Sequence, residues 1–525
     1  MASMGSRQRM SHIDGLEQII ALVGRSTSLR QEGRTEAALG CLQQALAVNP
    51  RLYPLHLNCA RLMAELGCYE EAIAAYGRYL RDAPDDGEAA AQCRQLQQEA
   101  EEHYGTLLEI DRDNVDFHVL RGNIRLGAGR AAAALADFDQ ARRLDPRCWG
   151  LEARRGAALV ALYRHEEALA ALDRALEREP GNLQVRLQRG RVLQALGRWE
   201  AAFASYEQLL CFHLDHPEAL VEQAHCCFAL GRWRQGWQRY EWRWETRQMA
   251  DAWLPSNAPL WLGRHSPEGR TVLLWAEQGL GDTLQFLRYV PRVAALGARV
   301  LLLLPPSLAA LAASLGPGIE VLPAPAELPP HDLHCPLLSL PLALGLCRPE
   351  EGPGTPYLRA SPERAARMPV LPAFQGRRIG LVWSAKADGD AGRNLALAQL
   401  QPLLGPGRRF YCLQQMIPAA DQEALAALPQ LQRVDAWLED WADTAALVQQ
   451  LDLVISVDTA VAHLAGALGR PCWLLLQHGG EWRWGRQGAA TPWYASLRLF
   501  RQPAWGDWDG AVAQAAAALA DWRGG

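Results

Sequence analysis

The first half of the chain repeats one pattern of small and large apolar positions. Pro50 and Pro84 are 34 residues apart, and so are Pro146 and Pro180. Before each proline, a small residue, a larger one and usually a second small one recur at i, i+4 and i+7, which places one stripe on a helix face. The four sets are Ala38, Leu42 and Ala45; Ala72, Tyr76 and Tyr79; Ala134, Phe138 and Ala141; and Ala168, Leu172 and Ala175. Because proline ends a helix, the pattern predicts a stack of short packed helices.

These segments resemble the tetratricopeptide repeat, a helix–turn–helix unit of about 34 residues. LGCYEEAIAAY (66–76) and LGRWEAAFASY (196–206) fit that family closely, with Gly67 and Gly197 at the turn between paired helices. We predict a solenoid over residues 17–245 whose tryptophan-rich last repeat (230–245) docks onto the next domain. Such solenoids offer a concave face to peptides or partner proteins. Recognition of a protein or peptide is therefore predicted, and a spacer or oligomerisation arm is the alternative.

Beyond residue 271 the pattern changes to short apolar runs that alternate with helical stretches. The runs lie at 272–275, 300–304, 319–322, 379–383, 410–413, 453–457 and 472–476. This alternation predicts parallel α/β sheets. A segment rich in proline and glycine (348–376) separates one Rossmann-like, doubly wound sheet at 246–347 from another at 377–525. Two such sheets form a cleft, and ligands bind at the carboxyl ends of their strands.

Composition narrows the function classes. A formal net charge of −5 gives no reason to expect nucleic acid as a partner. The twelve cysteines include no C-x-x-C pair, which predicts buried thiols in a reducing cytoplasm. The N-terminus has no apolar signal core, and no apolar stretch reaches the length of a membrane span. We therefore expect a cytoplasmic protein with no transmembrane segment.

A candidate site follows the first predicted strand, in the sequence AEQGLGD. A helix that begins after such a turn exposes unpaired N–H groups and the positive end of its dipole. Gly279 and Gly281 let a substrate approach the backbone closely, so both are candidate donor-binding residues. Asp282 would repel a phosphate but could accept a proton. Asp282 is therefore a candidate base, and an N-cap role is the alternative.

Three strand ends of the second predicted sheet carry polar residues. The fourth apolar run of this half ends in a loop with Lys386 and Arg393. The sixth run ends in Asp458 and Thr459, with His463 in the helix that follows, and the seventh ends in QHGGEWRW. Cations, a hydroxyl and glycines at one sheet edge suit a diphosphate.

Each of these residues also has a structural interpretation. The Asp-Thr pair could be a plain helix cap, His463 a core histidine, and the two loop cations solvated surface. The Asp-Gly-Asp sequence at 388–390 looks like a metal-binding motif, but we interpret it as loop charge. The common placement of these residues at strand ends favours the functional interpretation.

Four segments together resemble bacterial tetratricopeptide-repeat proteins with a glycosyltransferase domain. The segments are AEQGLGDTLQFLRYVP (276–291), HDLHCPLLSLPLA (331–343), RIGLVWSAK (378–386) and DLVISVDTAVAHLAGALGRPCWLLL (452–476). That domain is similar to the family 9 heptosyltransferases and, more distantly, to the O-GlcNAc transferases. The resemblance covers about residues 17–522.

The resemblance implies a GT-B fold, an acceptor half at 246–347 and a donor half at 377–525. It implies transfer of a sugar from a nucleotide sugar without metal or further cofactor. Asp282 corresponds to the proposed base, and Asp458, Thr459 and His463 to donor contacts; Arg393 or Lys386 corresponds to the loop cation. A non-catalytic repeat scaffold that senses a nucleotide sugar is the alternative. A sugar-nucleotide epimerase is a third possibility, against which the repeats argue.

Overall fold

The structure, a computed structural model, describes residues 2–50, 52–249, 252–323, 327–351, 356–385, 391–479, 481–485 and 487–522. The chain divides into two compact units, residues 1–180 and 181–525. The first unit is all helical. The second contains further helices and both sheets.

Paired helices make up the first unit. They are α1 (Ala2–Gln31), α2 (Thr35–Val48), α3 (Tyr53–Glu65), α4 (Tyr69–Asp82), α5 (Gly87–Ile110), α6 (Val115–Gly127), α7 (Ala131–Leu144), α8 (Leu151–Ala161) and α9 (His165–Arg178). Glycines of one helix face the large residue of the next stripe. A Cβ on Gly122 would lie 2.5 Å from the Phe138 ring, and one on Gly156 would lie 2.8 Å from Leu172. The large stripe residues therefore fit because the facing helix has no side chain at that point.

The second unit begins with the same kind of helix pair. Its first helices are α10 (Leu183–Ala195), α11 (Trp199–Leu210), α12 (Pro217–Ala229) and α13 (Trp233–Tyr240), followed by a 3₁₀ segment, Glu241–Glu245. As predicted, the last repeat packs onto the following domain. The Trp237 ring lies 5.8 Å from that of Phe286, and the Tyr240 hydroxyl accepts a hydrogen bond from Nε2 of Gln278 at 3.0 Å.

The first sheet has four parallel strands in the order β3-β2-β1-β4. Its strands are β1 (Thr271–Trp275), β2 (Arg299–Leu304), β3 (Ile319–Pro323) and β4 (Leu333–Pro336), and its helices are α14 (Leu280–Phe286), α15 (Val290–Ala295), α16 (Pro306–Ala312) and α17 (Leu340–Ala343). Val272 pairs with Val300 on one side and with Leu333 on the other. Helices cover both faces of such a sheet, which explains why its central strands are continuous apolar runs.

The second sheet has six parallel strands in the order β10-β9-β8-β5-β6-β7. Its strands are β5 (Arg377–Val382), β6 (Arg408–Cys412), β7 (Leu431–Arg433), β8 (Leu453–Val457), β9 (Cys472–Leu476) and β10 (Leu497–Arg501), and the helices are α18 (Pro362–Arg367), α19 (Gln422–Ala426), α20 (Trp441–Gln449), α21 (Ala460–Ala467) and α22 (Trp508–Asp521). The predicted fold class, an all-α solenoid followed by two doubly wound parallel sheets, is confirmed.

The seven apolar runs all form strands, but three strands lack such a run. β4 ends in a proline, β7 has three residues, and β10 contains two arginines among its five residues. One helix predicted over 284–296 is instead α14, a 3₁₀ segment (Leu287–Tyr289) and α15. Pro291 lies in the first turn of α15, where its missing N–H costs nothing, and so marks a new helix start.

The twelve cysteines are free, as predicted, but they are not uniformly buried. Cys68, Cys211 and Cys347 are exposed. These three lie in turns or just past helix ends, where chain geometry and not packing sets exposure. In the described parts of the chain, every helix is too short or too polar to cross a bilayer.

Candidate active site

The two predicted half-sites lie side by side because α14 packs against α21. α14 follows β1 and α21 follows β8, so both begin at the carboxyl edge of their sheet. A Cβ on Gly281 would lie 3.0 Å from Cδ2 of His463 and 3.6 Å from Cα of Ala460. We predicted that Gly281 lets a substrate approach the backbone. In the structure, α21 approaches the backbone at this position, where Gly281 has no side chain.

Asp282 is the third residue of α14 and does not cap it. Gly279 is the N-cap residue, in an extended conformation with φ −61° and ψ 163°. The Asp282 carboxylate instead accepts a hydrogen bond from Nη2 of Arg483, which follows β9 of the second sheet. Its side chain is 23% exposed, which leaves the carboxylate within reach of a second molecule.

The N-terminus of α21 carries the predicted Asp-Thr pair. Thr459 is the N-cap residue, but no side chain caps the helix there; its hydroxyl lies 2.9 Å from that of Ser456. The Ala462 N–H donates to the Thr459 carbonyl at 3.1 Å, so Ala460 and Val461 are the residues of the first turn whose N–H groups suit an anion. Asp458 lies 3.9 Å from Nη1 of Arg393, and burial raises the pKa of its carboxyl. Lys386, like the motif at 388–390, lies outside the described residues.

His463 is a buried, neutral histidine. Its Nδ1 lies 3.0 Å from the Tyr494 hydroxyl, and its ring lies 5.1 Å from that of Trp484. Burial, with the charges of Arg483 and Arg288 nearby, holds its pKa well below the usual range. A neutral imidazole can donate or accept one hydrogen bond at its second nitrogen but adds no charge to a diphosphate site.

The sequence analysis did not identify Arg483, a cation that joins the two half-sites. Its Nη1 donates to Glu481, its Nη2 to Asp282 and its Nε to Oε1 of Gln285 at 2.9 Å. Its position in the sequence indicated a role, because a cation in a loop just after a buried strand lies at the carboxyl edge of a parallel sheet, where ligands bind. Its partners Asp282 and Gln285, however, are about 200 residues away in the chain.

Another ion cluster lies directly behind the GLGD turn (residues 279–282). Arg243, fully buried in the 3₁₀ segment after α13, donates to Glu241 at 2.8 Å, to Glu277 at 3.1 Å and to the Ser339 hydroxyl at 2.7 Å. The Glu277 side chain is 0% exposed; its Oε1 also accepts the Leu338 N–H, while Oε2 has no partner among the described residues. The Arg243 guanidinium thus forms ion pairs with two carboxylates, those of Glu241 and Glu277.

The cluster makes stability depend on pH. Burial, opposed by Arg243, raises the pKa of Glu277 from 4.5 to about 7. A carboxyl whose pKa is higher in the folded state stabilises the fold fully below pH 4.5 and loses that contribution as the pH rises to 7. Relative to Glu277→Gln, the wild-type chain should lose about 3 kcal/mol of unfolding free energy over this interval. Urea denaturation of both proteins at several pH values measures the difference; parallel pH profiles would contradict it.

Aromatic side chains fill the space between the last repeat and both sheets. The Phe228 ring of α12 lies 4.7 Å from that of Trp482, and the Trp233 ring of α13 lies 5.8 Å from that of Trp493. Trp482 stacks in turn on the guanidinium of Arg483, 4.2 Å from the ring centre. The end of the solenoid is therefore part of the structure that positions the candidate site.

Comparison with known proteins identifies the class of each part. Residues 29–96, 98–147, 119–182 and 153–213 match tetratricopeptide repeats. Residues 440–479, which hold β8, α21 and β9, match glycosyltransferase family 9 (heptosyltransferase). The chain thus carries tetratricopeptide repeats followed by a family 9 glycosyltransferase domain with the paired parallel sheets of the GT-B fold.

Individual relatives cover only parts of the chain. Protein FlbA of Caulobacter vibrioides is 32% identical over 176 residues, which are 31% of this chain and 29% of FlbA. The match thus spans less than a third of that relative. Among solved structures, MamA of Desulfovibrio magneticus has 13% identity over 38% of this chain and 97% of its own, with a TM-score of 0.27. A thermophilic TPR protein of Thermus thermophilus has 20% identity over 40% and 98%, with a TM-score of 0.23.

Proposed function

We propose that this protein transfers a sugar from a nucleotide sugar to a hydroxyl group of a protein or peptide that the repeats recruit. One observation carries the proposal. Asp282 accepts a hydrogen bond from Arg483 of the second sheet's domain, and Gly281 beside it lies against the first turn of α21. A proton acceptor on one sheet therefore faces an anion-binding helix end on the other.

The residues divide the chemistry between the two sheets. An acceptor hydroxyl must lose its proton as its oxygen attacks the anomeric carbon, and the Asp282 carboxylate takes that proton. The leaving diphosphate gains negative charge as the sugar departs. N–H groups at the start of α21, together with Arg393, stabilise that charge. In this proposal, no metal is needed to neutralise the leaving group.

The position of the last repeat supports a macromolecular acceptor. Tyr240 of α13 contacts Gln278, the residue before Gly279. The repeats thus continue up to the turn that carries Asp282, and repeat solenoids bind peptides and proteins on their concave face. An acceptor held by the repeats would present its hydroxyl near that turn.

Incubation of the full chain with a panel of nucleotide sugars and a cell lysate tests the function. Mass spectrometry should find new sugar adducts on proteins with one donor. A lack of both transfer and donor hydrolysis with every donor would favour the non-catalytic scaffold.

The donor role of Asp458 is tested separately. Its carboxylate can accept hydrogen bonds from donor hydroxyl groups, so Asp458→Ala should weaken donor binding about 10- to 100-fold. Calorimetric titration with the donor found in the panel measures this. Asp452, at the opposite end of β8, is the matched control, because its carboxylate accepts the Arg378 N–H at 2.8 Å and lies 3.5 Å from Nη1 of Arg377, at the other edge of the sheet. Equal affinities of Asp458→Ala and Asp452→Ala would count against the assignment.

A further inference from the structure

Arg483 lies where both halves of the candidate site meet. It lies after β9, at the carboxyl edge where doubly wound sheets bind ligands. Its side chain is 13% exposed, and its guanidinium is shared by Gln285, Glu481 and Asp282. A planar guanidinium can make two parallel hydrogen bonds to a carboxylate or, equally well, to a phosphate.

The three contacts differ in how easily they can be exchanged. Gln285 is fully buried in α14, so its bond to Nε fixes the guanidinium without a carboxylate. Glu481 lies two residues from Arg483 in the same segment and keeps Nη1. Asp282 lies on α14 like Gln285 but is partly exposed, and its carboxylate contacts Nη2. Another oxyanion could thus replace Asp282 at Nη2 while the other two contacts remain.

A diphosphate is the oxyanion that this position suits. Nη1 of Arg393 lies 3.9 Å from Asp458, just before α21, and Arg483 donates to Asp282, whose neighbour Gly281 lies against Ala460 in the first turn of α21. That helix end is also where the backbone N–H groups are uncapped. Two guanidinium groups and a helix N-terminus therefore converge on one anion site.

We propose that Arg483 binds the diphosphate of the nucleotide sugar and, in doing so, releases Asp282 to act as the base. The proposal rests on the function proposed above and adds an order of events, with the donor binding before the proton is taken. Before the donor binds, the Asp282 carboxylate accepts a hydrogen bond from Arg483, so the oxygen in that bond is not open to the acceptor hydroxyl.

The transfer step then balances around these two residues. The acceptor O–H bond breaks and its proton moves to the Asp282 carboxylate, while the acceptor oxygen forms a bond to the anomeric carbon. The bond from that carbon to the phosphate oxygen breaks, and its electron pair leaves with the nucleoside diphosphate. Because Asp282 is now neutral, Arg483 remains with the diphosphate, whose charge has increased.

Calorimetric titration of the full chain with inorganic pyrophosphate tests the exchange. Arg483→Gln should lower the affinity for pyrophosphate about 10- to 100-fold, because a hydrogen bond between charged groups contributes about that much to binding. Asp282→Asn should raise it, because Arg483 no longer has a competing carboxylate. In the double variant the gain from Asp282→Asn should disappear, which separates competition for Arg483 from a general loss of negative charge.

Arg364→Gln is the matched control. Arg364 also bridges two carboxylates, Asp440 at 2.8 Å and Asp443 at 3.0 Å, but between α18 and α20. Its loss should leave pyrophosphate binding unchanged. Arg483→Lys, which keeps the charge without the planar fork, should show an intermediate affinity and serves if the glutamine variant does not fold.

Three results would overturn the proposal: no pyrophosphate binding by the wild-type chain, unchanged affinity in Arg483→Gln, or a gain from Asp282→Asn that persists without Arg483. Different results would contradict the proposed function. If no donor supports transfer but the pyrophosphate results hold, the diphosphate site stands without the enzyme activity. If transfer needs Asp282 but pyrophosphate binding ignores Arg483, the activity stands and the exchange is wrong.

Discussion

Replacing Asp282 with asparagine should lower the rate of sugar transfer about 10²- to 10⁴-fold, the contribution of a positioned general base. Asparagine keeps the size and shape of the side chain but cannot take a proton from the acceptor hydroxyl. Donor affinity should not fall, because the donor contacts lie on α21 and its neighbours. Turnover is followed as release of the nucleoside diphosphate from the donor found in the panel, at saturating donor and acceptor.

Asp332→Asn is the control for this change. Asp332 precedes β4 at the amino edge of the same sheet, where its carboxylate accepts the Thr271 N–H at 2.8 Å. That variant loses a carboxylate of the same domain without touching the cleft, so its turnover should stay near that of the wild-type chain. Full activity of Asp282→Asn would remove Asp282 from the mechanism, and an equal loss in both variants would indicate a general structural effect.

Replacing Arg243 with leucine should destabilise the second unit by about 3–5 kcal/mol, the cost of removing one partner from a buried ion pair. Arg243 is 2% exposed and is the cation that Glu241 and Glu277 share. Without it, the buried Glu277 must either stay charged without a partner or take up a proton. Urea denaturation followed by tryptophan fluorescence reports on this unit, because every tryptophan except Trp149 belongs to it.

An exposed ion pair on the first sheet provides the comparison. Arg299 and Glu320 lie 2.8 Å apart with side chains 67% and 53% exposed, so Arg299→Leu should cost less than about 1 kcal/mol. Adding Glu277→Gln to Arg243→Leu should recover part of the loss, because it removes one of the two unpaired carboxylates. Equal destabilisation by Arg243→Leu and Arg299→Leu would show that the Arg243 cluster does not stabilise the second unit. The same conclusion would follow if Glu277→Gln restored no stability to Arg243→Leu.

The stability of the Arg243 cluster also bears on the site. Glu277 lies two residues before Gly279, and Arg243 belongs to the segment that ends the last repeat. The cluster therefore joins the end of the solenoid to the turn that presents Asp282. A loss of this link should disorder the turn before it unfolds the sheets, since β1 and β2 are held by their own buried ladder.

Local patterns predicted much of this architecture. The seven apolar runs became strands and the small–large stripes became packed helices, because each element's periodicity is written in adjacent residues. The apolar pattern did not predict β4, β7 and β10, because these segments are short or charged and form strands only by pairing with neighbouring strands of the sheet. Local patterns also left His463 open between a core histidine and a donor contact, because its contact with Tyr494 depends on tertiary packing.

By itself, the sequence determined the repeat period, the fold class and the turns at the strand ends that carry Asp282, Asp458 and Thr459. The tertiary structure decided which side chains meet there. Asp282 and Arg483, 201 residues apart, share a hydrogen bond only because α14 packs on α21, and that approach depends on Gly281 having no side chain. Backbone periodicity is a local property of the chain, whereas an ion pair across a cleft depends on how two separately wound sheets pack.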